Sequence, residues 1–224
     1  MAESTSKIPE AIIFMPGASG DGAFWQGVGR LLPQALEKHY LNWPGLGNQP
    51  HDQHVKGFSD LVLLAEKALS RPSIIVAQSM GGIVAVELAR RLPERVTHLV
   101  LAATSGGLDV SSYGGADWRE AFFLQFPRSV RWVAHERPDL RQAFRDLKMP
   151  TLLLWGGADE ISPLAVGEFL AREIPHAKLV VIPEGDHCFG IGQPEVVASH
   201  IKRHLVDIEI CSEVFCCQRS CRAE

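Results

Sequence analysis

The feature that most constrains the fold is a repeated switch between short apolar runs and helical patterns. AIIFM (11–15), SIIVA (73–77), THLVLAA (97–103), TLLLW (151–155) and AKLVVIP (177–183) are dominated by apolar residues. A strand with one wet face alternates in polarity, whereas a strand buried on both faces does not, and the latter is the mark of a parallel sheet. HYLNW (39–43) reads as a further strand, stopped by Pro44-Gly45-Leu46-Gly47. Between the runs, apolar residues recur at helical spacing. Residues 23–37 carry Phe24, Val28, Leu31 and Leu32 on one stripe, and 59–70, 80–92, 163–172 and 194–205 read as helices too. Such alternation predicts an α/β fold, a mostly parallel central sheet with helices on both faces.

The alternation breaks once, over residues 105–148. That segment holds Gly106-Gly107, Gly114-Gly115, short helical patterns and a concentration of aromatics. An aromatic stripe usually belongs to a core. This one sits on an insertion at the C-terminal ends of the strands, where open α/β sheets bind ligands. Trp118, Phe122, Phe123, Phe126 and Trp132 are therefore candidates for lining a substrate pocket under a small cap. The chain of 224 residues suits one domain, read as 1–205 with the cap inserted and a Cys-rich tail over 206–224.

Composition excludes several classes. With 46% apolar and 21% charged residues the chain is an ordinary globule. A net charge of −4 with no basic run gives no footing for a nucleic acid. No apolar stretch is long enough to span a bilayer, and MAESTSKIPE lacks the apolar region of a secretory signal. The expectation is a cytoplasmic protein without a membrane or nucleic-acid partner; its oligomeric state is not legible. Cys188 stands alone in the body, while Cys211, Cys216, Cys217 and Cys221 crowd the tail without the spacing or histidines of a zinc site. A frayed terminus accounts for that tail more simply than a metal or redox centre does. Neither a metal nor an organic cofactor is expected.

The chemistry starts at VAQSMGGIVAVELARR (76–91), where a strand runs straight into a helix through Gln78-Ser79-Met80-Gly81-Gly82. A serine ahead of a helix is commonly an N-cap. The alternative is a nucleophile elbow, G-x-S-x-G, a strained turn that lifts the serine Oγ above the sheet. Small residues are needed at its ends because strand and helix backbones come too close for side chains. Ala77 meets that demand in place of the first Gly. FMPGASGDGAFW (14–25), after the first strand, would supply a second part. Acyl transfer needs N–H donors aimed at the developing oxyanion, each worth about 2.7–4 kcal/mol of barrier. The candidates are the N–H groups of Met80, which follows the serine, and Ala18, which Gly17 leaves free to turn. The plain reading of PGASGDG is a glycine-rich turn into a helix; it matches neither phosphate-binding loop pattern.

LLLWGGADEISP (152–163) then offers Asp159, with Glu160 a weaker candidate and Ser162-Pro163 read as cap and first residue of the next helix. VIPEGDHCFG (181–190) offers His187. A lone Asp or His is usually structural, but Ser79, Asp159 and His187 each follow a different strand, in the chain order Ser…Asp…His of a triad. Asp186 and Asp109 are rival acids; Asp186 is the sequence neighbour of His187, and neighbours in an extended segment point apart. Cys188 lacks an elbow and reads as packing. The polar PHDQH (50–54) reads as a solvated loop.

On AQSMGG, the PGAS loop, PGLG (44–47), GGADEISP and EGDH, the chain resembles the α/β-hydrolase superfamily from about Ile12 to Leu205. It is most similar to cap-bearing single-domain members, which include esterases, lactonases, cofactor-free haloperoxidase-like enzymes and C–C bond hydrolases. Three positions depart from the family pattern: Pro16 replaces a His before Gly17, Asn42 replaces an Asp before the PGLG turn, and Ala77 replaces a Gly. None removes a catalytic group, since the oxyanion donors are backbone N–H groups. The resemblance implies a serine hydrolase cleaving a small-molecule carboxylic ester with a small or medium apolar acyl group. Lactone, thioester, perhydrolysis or C–C chemistry on the same triad, or a ligand-sensing role with little turnover, are the alternatives. The serine argues against dehalogenase and epoxide-hydrolase chemistry, which use an Asp nucleophile on this fold.

Overall fold

The apolar runs pair into one sheet. In the computed structural model, which describes residues 8–136 and 138–206, six strands lie in the order β2-β1-β3-β4-β5-β6. They are β1 (Ala11–Met15), β2 (Glu37–Tyr40), β3 (Ser73–Gln78), β4 (Val96–Ala102), β5 (Thr151–Gly156) and β6 (Ala177–Ile182). Every pairing is parallel. The helices are α1 (Gln26–Leu31), α2 (Phe58–Ala68), α3 (Met80–Arg91), α4 (Arg119–Gln125), α5 (Arg141–Phe144), α6 (Leu164–Glu173) and α7 (Phe189–Gly192). A last helix, α8, covers residues 194–206.

The two-residue period of a strand sorts its side chains to opposite faces. Ile13, Met15, Ile75, Ala77, Leu99, Leu101, Leu153 and Trp155 point to one face, beneath α2, α3 and α6. Ile12, Phe14, Ile74, Val76, Val100, Ala102, Leu152 and Leu154 point to the other, beneath α1 and α8. Full burial of such side chains is worth about 1.5–3 kcal/mol each, which is why the central strands read as unbroken apolar runs. Segment 105–148 extends the first cluster through Leu108, Val133, Leu140, Phe144 and Leu147.

Two local expectations differ from what folds. The helix expected over 23–37 is a 3₁₀ turn (Gly22–Trp25) followed by α1, which ends at Leu31. Pro33 explains the stop: the residue before a proline is driven out of the helical region, and Leu32 is extended at ψ 163°. The released chain reaches the sheet earlier, so β2 begins at Glu37 and ends at Tyr40 where a strand over 39–43 was expected. It is an edge strand with partly exposed side chains, which hides it from an apolar-run reading.

Candidate functional site

Ser79 sits between β3 and α3 with φ 52° and ψ −121°. Those are the angles of the first central position of a type II′ turn, where glycine is preferred. Although Ser79 occupies the N-cap position, its side chain makes no capping hydrogen bond. Oγ instead lies 3.0 Å from His187 Nε2. The surroundings hold the turn in place. The Ser79 N–H donates to Ala102 O at 2.9 Å, and Thr104 Oγ1 donates to Ser79 O at 2.7 Å while accepting from Gly106 N–H at 3.1 Å. Gly81 lets α3 approach β1: a Cβ there would overlap the carbonyl of Pro16 and come within 2.8 Å of that of Met15.

The loop after β1 lies against this elbow. A Cβ on Gly17 would stand 3.1 Å from Ser79 Cβ. Two buried indoles fix the loop, Trp25 Nε1 donating to Met15 O at 2.9 Å and Trp43 Nε1 to Pro16 O at 2.7 Å. A turn closed by Gly20 N–H on Gly17 O presents Ala18. The N–H groups of Ala18 and Met80 donate to no acceptor among the described residues.

Asp159 and His187 come from loops after β5 and β6 that are stitched together. Gly157 N–H donates to Ile182 O and Ala158 N–H to Gly185 O, at 2.8 and 2.9 Å. Gly156 and Gly185 permit the approach, since a Cβ on Gly185 would meet Gly156 Cα at 3.1 Å. The Asp159 side chain is fully buried and that of His187 is 17% exposed. Asp159 Oδ1 accepts from Ile161 and Ser162 N–H, each at 2.9 Å. His187 Nδ1 lies 2.9 Å from Oδ2 and 3.1 Å from Oδ1. A carboxylate facing Nδ1 places the proton there and leaves Nε2 to accept from the Ser79 hydroxyl.

The rivals are engaged elsewhere. Asp186 is exposed and its Oδ1 accepts from Cys188 N–H at 2.8 Å. Asp109 caps the 3₁₀ turn at Val110–Tyr113 through Ser111 N–H, and Glu160 is exposed. Cys188 is exposed; partial desolvation of its thiol, followed by the Asp186 and Asp159 carboxylates, pushes its pKa up. Ser162 is not the helix cap; Pro163 holds that position, and Ser162 Oγ contacts Thr104 O at 3.4 Å. Of the five aromatics singled out in segment 105–148, Phe126 lines a cleft with Ser19 and Gly190. Trp118, Phe122, Phe123 and Trp132 pack against the main core cluster.

Sequence reasoning missed Gln78. It is 5% exposed, its Nε2 donates to His187 O at 3.1 Å, and its Oε1 end is pressed against Gly17. It bridges the elbow, the loop after β1 and the His187 loop. A polar residue at the end of a wholly buried strand was the available signal. Among the described residues, no group of three or more His, Cys, Asp or Glu side chains gathers to hold a metal, and no helix is long and apolar enough to cross a membrane. The tail cysteines lie outside the described residues.

An elbow serine, a buried carboxylate and a bridging histidine above a parallel sheet define a protein of the α/β hydrolase class. The model of the alpha/beta hydrolase family matches residues 12–200, and the chain belongs to that family. Among curated relatives it is 23% identical over 221 residues to a pimeloyl-[acyl-carrier protein] methyl ester esterase of Vibrio parahaemolyticus, covering 79% of this chain and 86% of the relative. The protein of the same name from Neisseria meningitidis serogroup C is 27% identical over 214 residues, covering 75% and 82%. Among solved structures, a hydrolase from Pseudomonas aeruginosa PA01 superposes with a TM-score of 0.73 at 20% identity, covering 88% and 90% of the two chains.

Proposed function

We propose that the chain is a serine esterase that cleaves a carboxylic ester with a small or medium apolar acyl group. One observation carries this reading: the continuous relay from the strained Ser79 through His187 to the buried Asp159, at 3.0 and 2.9 Å. Ser79 Oγ attacks the ester carbonyl carbon as His187 Nε2 takes its proton, and the carbonyl electron pair moves onto oxygen. The N–H groups of Ala18 and Met80 receive that oxyanion, with the positive end of α3 behind Met80. Collapse breaks the bond to the alcohol oxygen, which takes the proton from Nε2. Water then attacks the acyl-enzyme with His187 again as base, and Asp159 holds the ring and stabilises the imidazolium in both halves. Segment 105–148 serves as a small cap on the one domain. The methyl ester esterases among the relatives support ester cleavage over other acyl chemistry.

A panel of p-nitrophenyl esters from acetate to octanoate tests the reading. The expected outcome is turnover favouring the shorter and middle chains, with Ser79→Ala lowering it by about a thousandfold or more. Undiminished turnover by Ser79→Ala removes Ser79 as the nucleophile.

A further inference from the structure

The loop that carries Ala18 is rich in glycine, with Gly17, Gly20 and Gly22 in it. An oxyanion donor acts only when it is held in place, about 2.7–3.1 Å from the developing charge. Segment 41–47, which follows β2 and contains the Pro44-Gly45-Leu46-Gly47 turn, supplies the hold. Trp43 is fully buried and grips the loop two residues before and two residues after Ala18. Its Nε1 donates to Pro16 O at 2.7 Å, and its backbone N–H donates to Gly20 O at 2.9 Å. Asn42 Oδ1 accepts from Gly22 N–H at 2.8 Å, and Leu41 N–H donates to Phe14 O at 2.9 Å. Gly20 and Gly47, at φ 72° and 54°, let the two segments close on each other. A Cβ on Gly20 would stand 2.7 Å from Leu46 O, and one on Gly47 would overlap the Ser19 carbonyl.

Segment 41–47 is held in turn by residues 128–130. Val130 N–H donates to Gly45 O at 2.8 Å, Gly47 N–H donates to the buried Ser129 Oγ at 3.2 Å, and His51 Nε2 lies 3.0 Å from Arg128 O. The loop after β1 meets the nucleophile at Gly17, where a Cβ would stand 3.1 Å from Ser79 Cβ. A shift of this loop therefore moves Ala18 N–H relative to Ser79 Oγ, and a misplacement of about 1 Å can cost about 100-fold in rate. We propose that Trp43 and Asn42 are positioning residues for acyl transfer: by fixing Pro16, Gly20 and Gly22 they aim the Ala18 N–H at the oxyanion. This rests on the esterase reading. It gives the turn at 44–47 a part in the reaction, as the link between residues 128–130 and the oxyanion loop.

Three variants of the full chain test it on p-nitrophenyl butyrate. Trp43→Phe keeps a buried ring but removes the donor to Pro16 O; kcat should fall by about tenfold or more, with KM changed by less than about threefold. Asn42→Leu removes the acceptor for Gly22 N–H and should lower kcat by about threefold or more, whereas Asn42→Asp keeps an acceptor oxygen and should restore most of it. A second readout separates aim from general weakening. The hemiketal that a trifluoromethyl pentyl ketone forms with serine puts an oxyanion where that of the ester would lie. Its inhibition constant should rise in Trp43→Phe and Asn42→Leu by the factor that kcat/KM falls, and the pH profile should keep its wild-type midpoint because the His187–Asp159 pair is untouched. Asn42 is exposed, so its two variants keep the test open if Trp43→Phe does not fold. Wild-type kcat in the folded variants, a loss of kcat with an unchanged inhibition constant, a shifted pH midpoint, or Asn42→Asp no better than Asn42→Leu overturns the assignment. Ser79→Ala separates the two levels. Turnover that depends on Ser79 but ignores Trp43 and Asn42 sinks the positioning assignment alone, whereas no ester turnover, or turnover independent of Ser79, sinks the esterase reading.

Discussion

Replacing Ser79 with glycine is expected to give a more stable protein than replacing it with alanine, while either change destroys activity. The backbone at Ser79, φ 52° and ψ −121°, lies outside the left-handed well open to non-glycine residues, and such strain costs about 1–3 kcal/mol. Glycine removes the Cβ that causes it but loses about 0.5–1 kcal/mol through its freer unfolded chain. Alanine keeps the Cβ and is the proper reference, because both variants lack the hydroxyl and its contact with His187. The difference leaves Ser79→Gly more stable than Ser79→Ala by about 1 kcal/mol, which raises Tm by about 2–4 °C in a chain of this size. Thermal unfolding of the two variants, followed by circular dichroism at one scan rate, measures it. A glycine variant that melts at or below the alanine variant means that the elbow stores no strain at Ser79.

Asp159→Asn keeps an oxygen for Ile161 and Ser162 N–H but no longer faces Nδ1 with a carboxylate, so kcat should fall by about 10³–10⁴, read on p-nitrophenyl butyrate; a loss under tenfold refutes the orienting role. Gly81→Ala drives a Cβ against the Met15 and Pro16 carbonyls and should destabilise by about 1–3 kcal/mol in urea, with no change in midpoint counting against the close approach. Gln78→Met keeps the bulk but deletes the donor to His187 O; kcat should fall roughly tenfold with KM little changed, and wild-type kinetics would show that the bridge positions nothing. His98, buried between β4 and α8 against the His204 ring at 5.7 Å, is held down to about 4 by burial and then by His204. The unfolded chain therefore binds this proton near pH 6.5 and the folded chain only near 4, so stability falls with pH across that window, by about 2 kcal/mol at pH 5. His98→Leu should flatten the change in urea midpoint between pH 7 and 5, and an unaltered slope rules His98 out as its source; Glu87, lowered by Arg90 and Arg91, acts only below its ordinary value of 4.5.

Central strands were legible because burial on both faces leaves only apolar residues: β1 has the expected bounds, and β3 and β5 extend one residue further, to Gln78 and Gly156. β2 was displaced because an edge strand carries Glu37, Lys38 and His39 and gives no apolar run. The overlong first helix came from reading the Phe24–Leu32 stripe past Pro33, although a proline outranks periodicity. Ser79, Asp159 and His187 could be picked out because each follows a strand, and the sheet order then places β3 and β6 on either side of β4 and β5. Gln78 left one signal, a polar residue closing a wholly buried strand, but its partner was not legible, since its bond to His187 spans 109 positions. The same limit governs segment 105–148: periodicity groups Trp118, Phe122 and Phe126 but does not say that Phe126 faces the cleft while the other two meet the core.

The most direct measurement is labelling of the wild-type chain with a fluorophosphonate, followed by intact mass and peptide mapping. A nucleophilic Ser79 activated by His187 gives one adduct, on the peptide containing Ser79, that is absent from Ser79→Ala and strongly slowed in His187→Ala, with ester turnover lost in step with labelling. Turnover that persists in fully labelled protein, or an adduct on another residue with Ser79 unmodified, would show that the relay above the sheet is not the machinery of this chain.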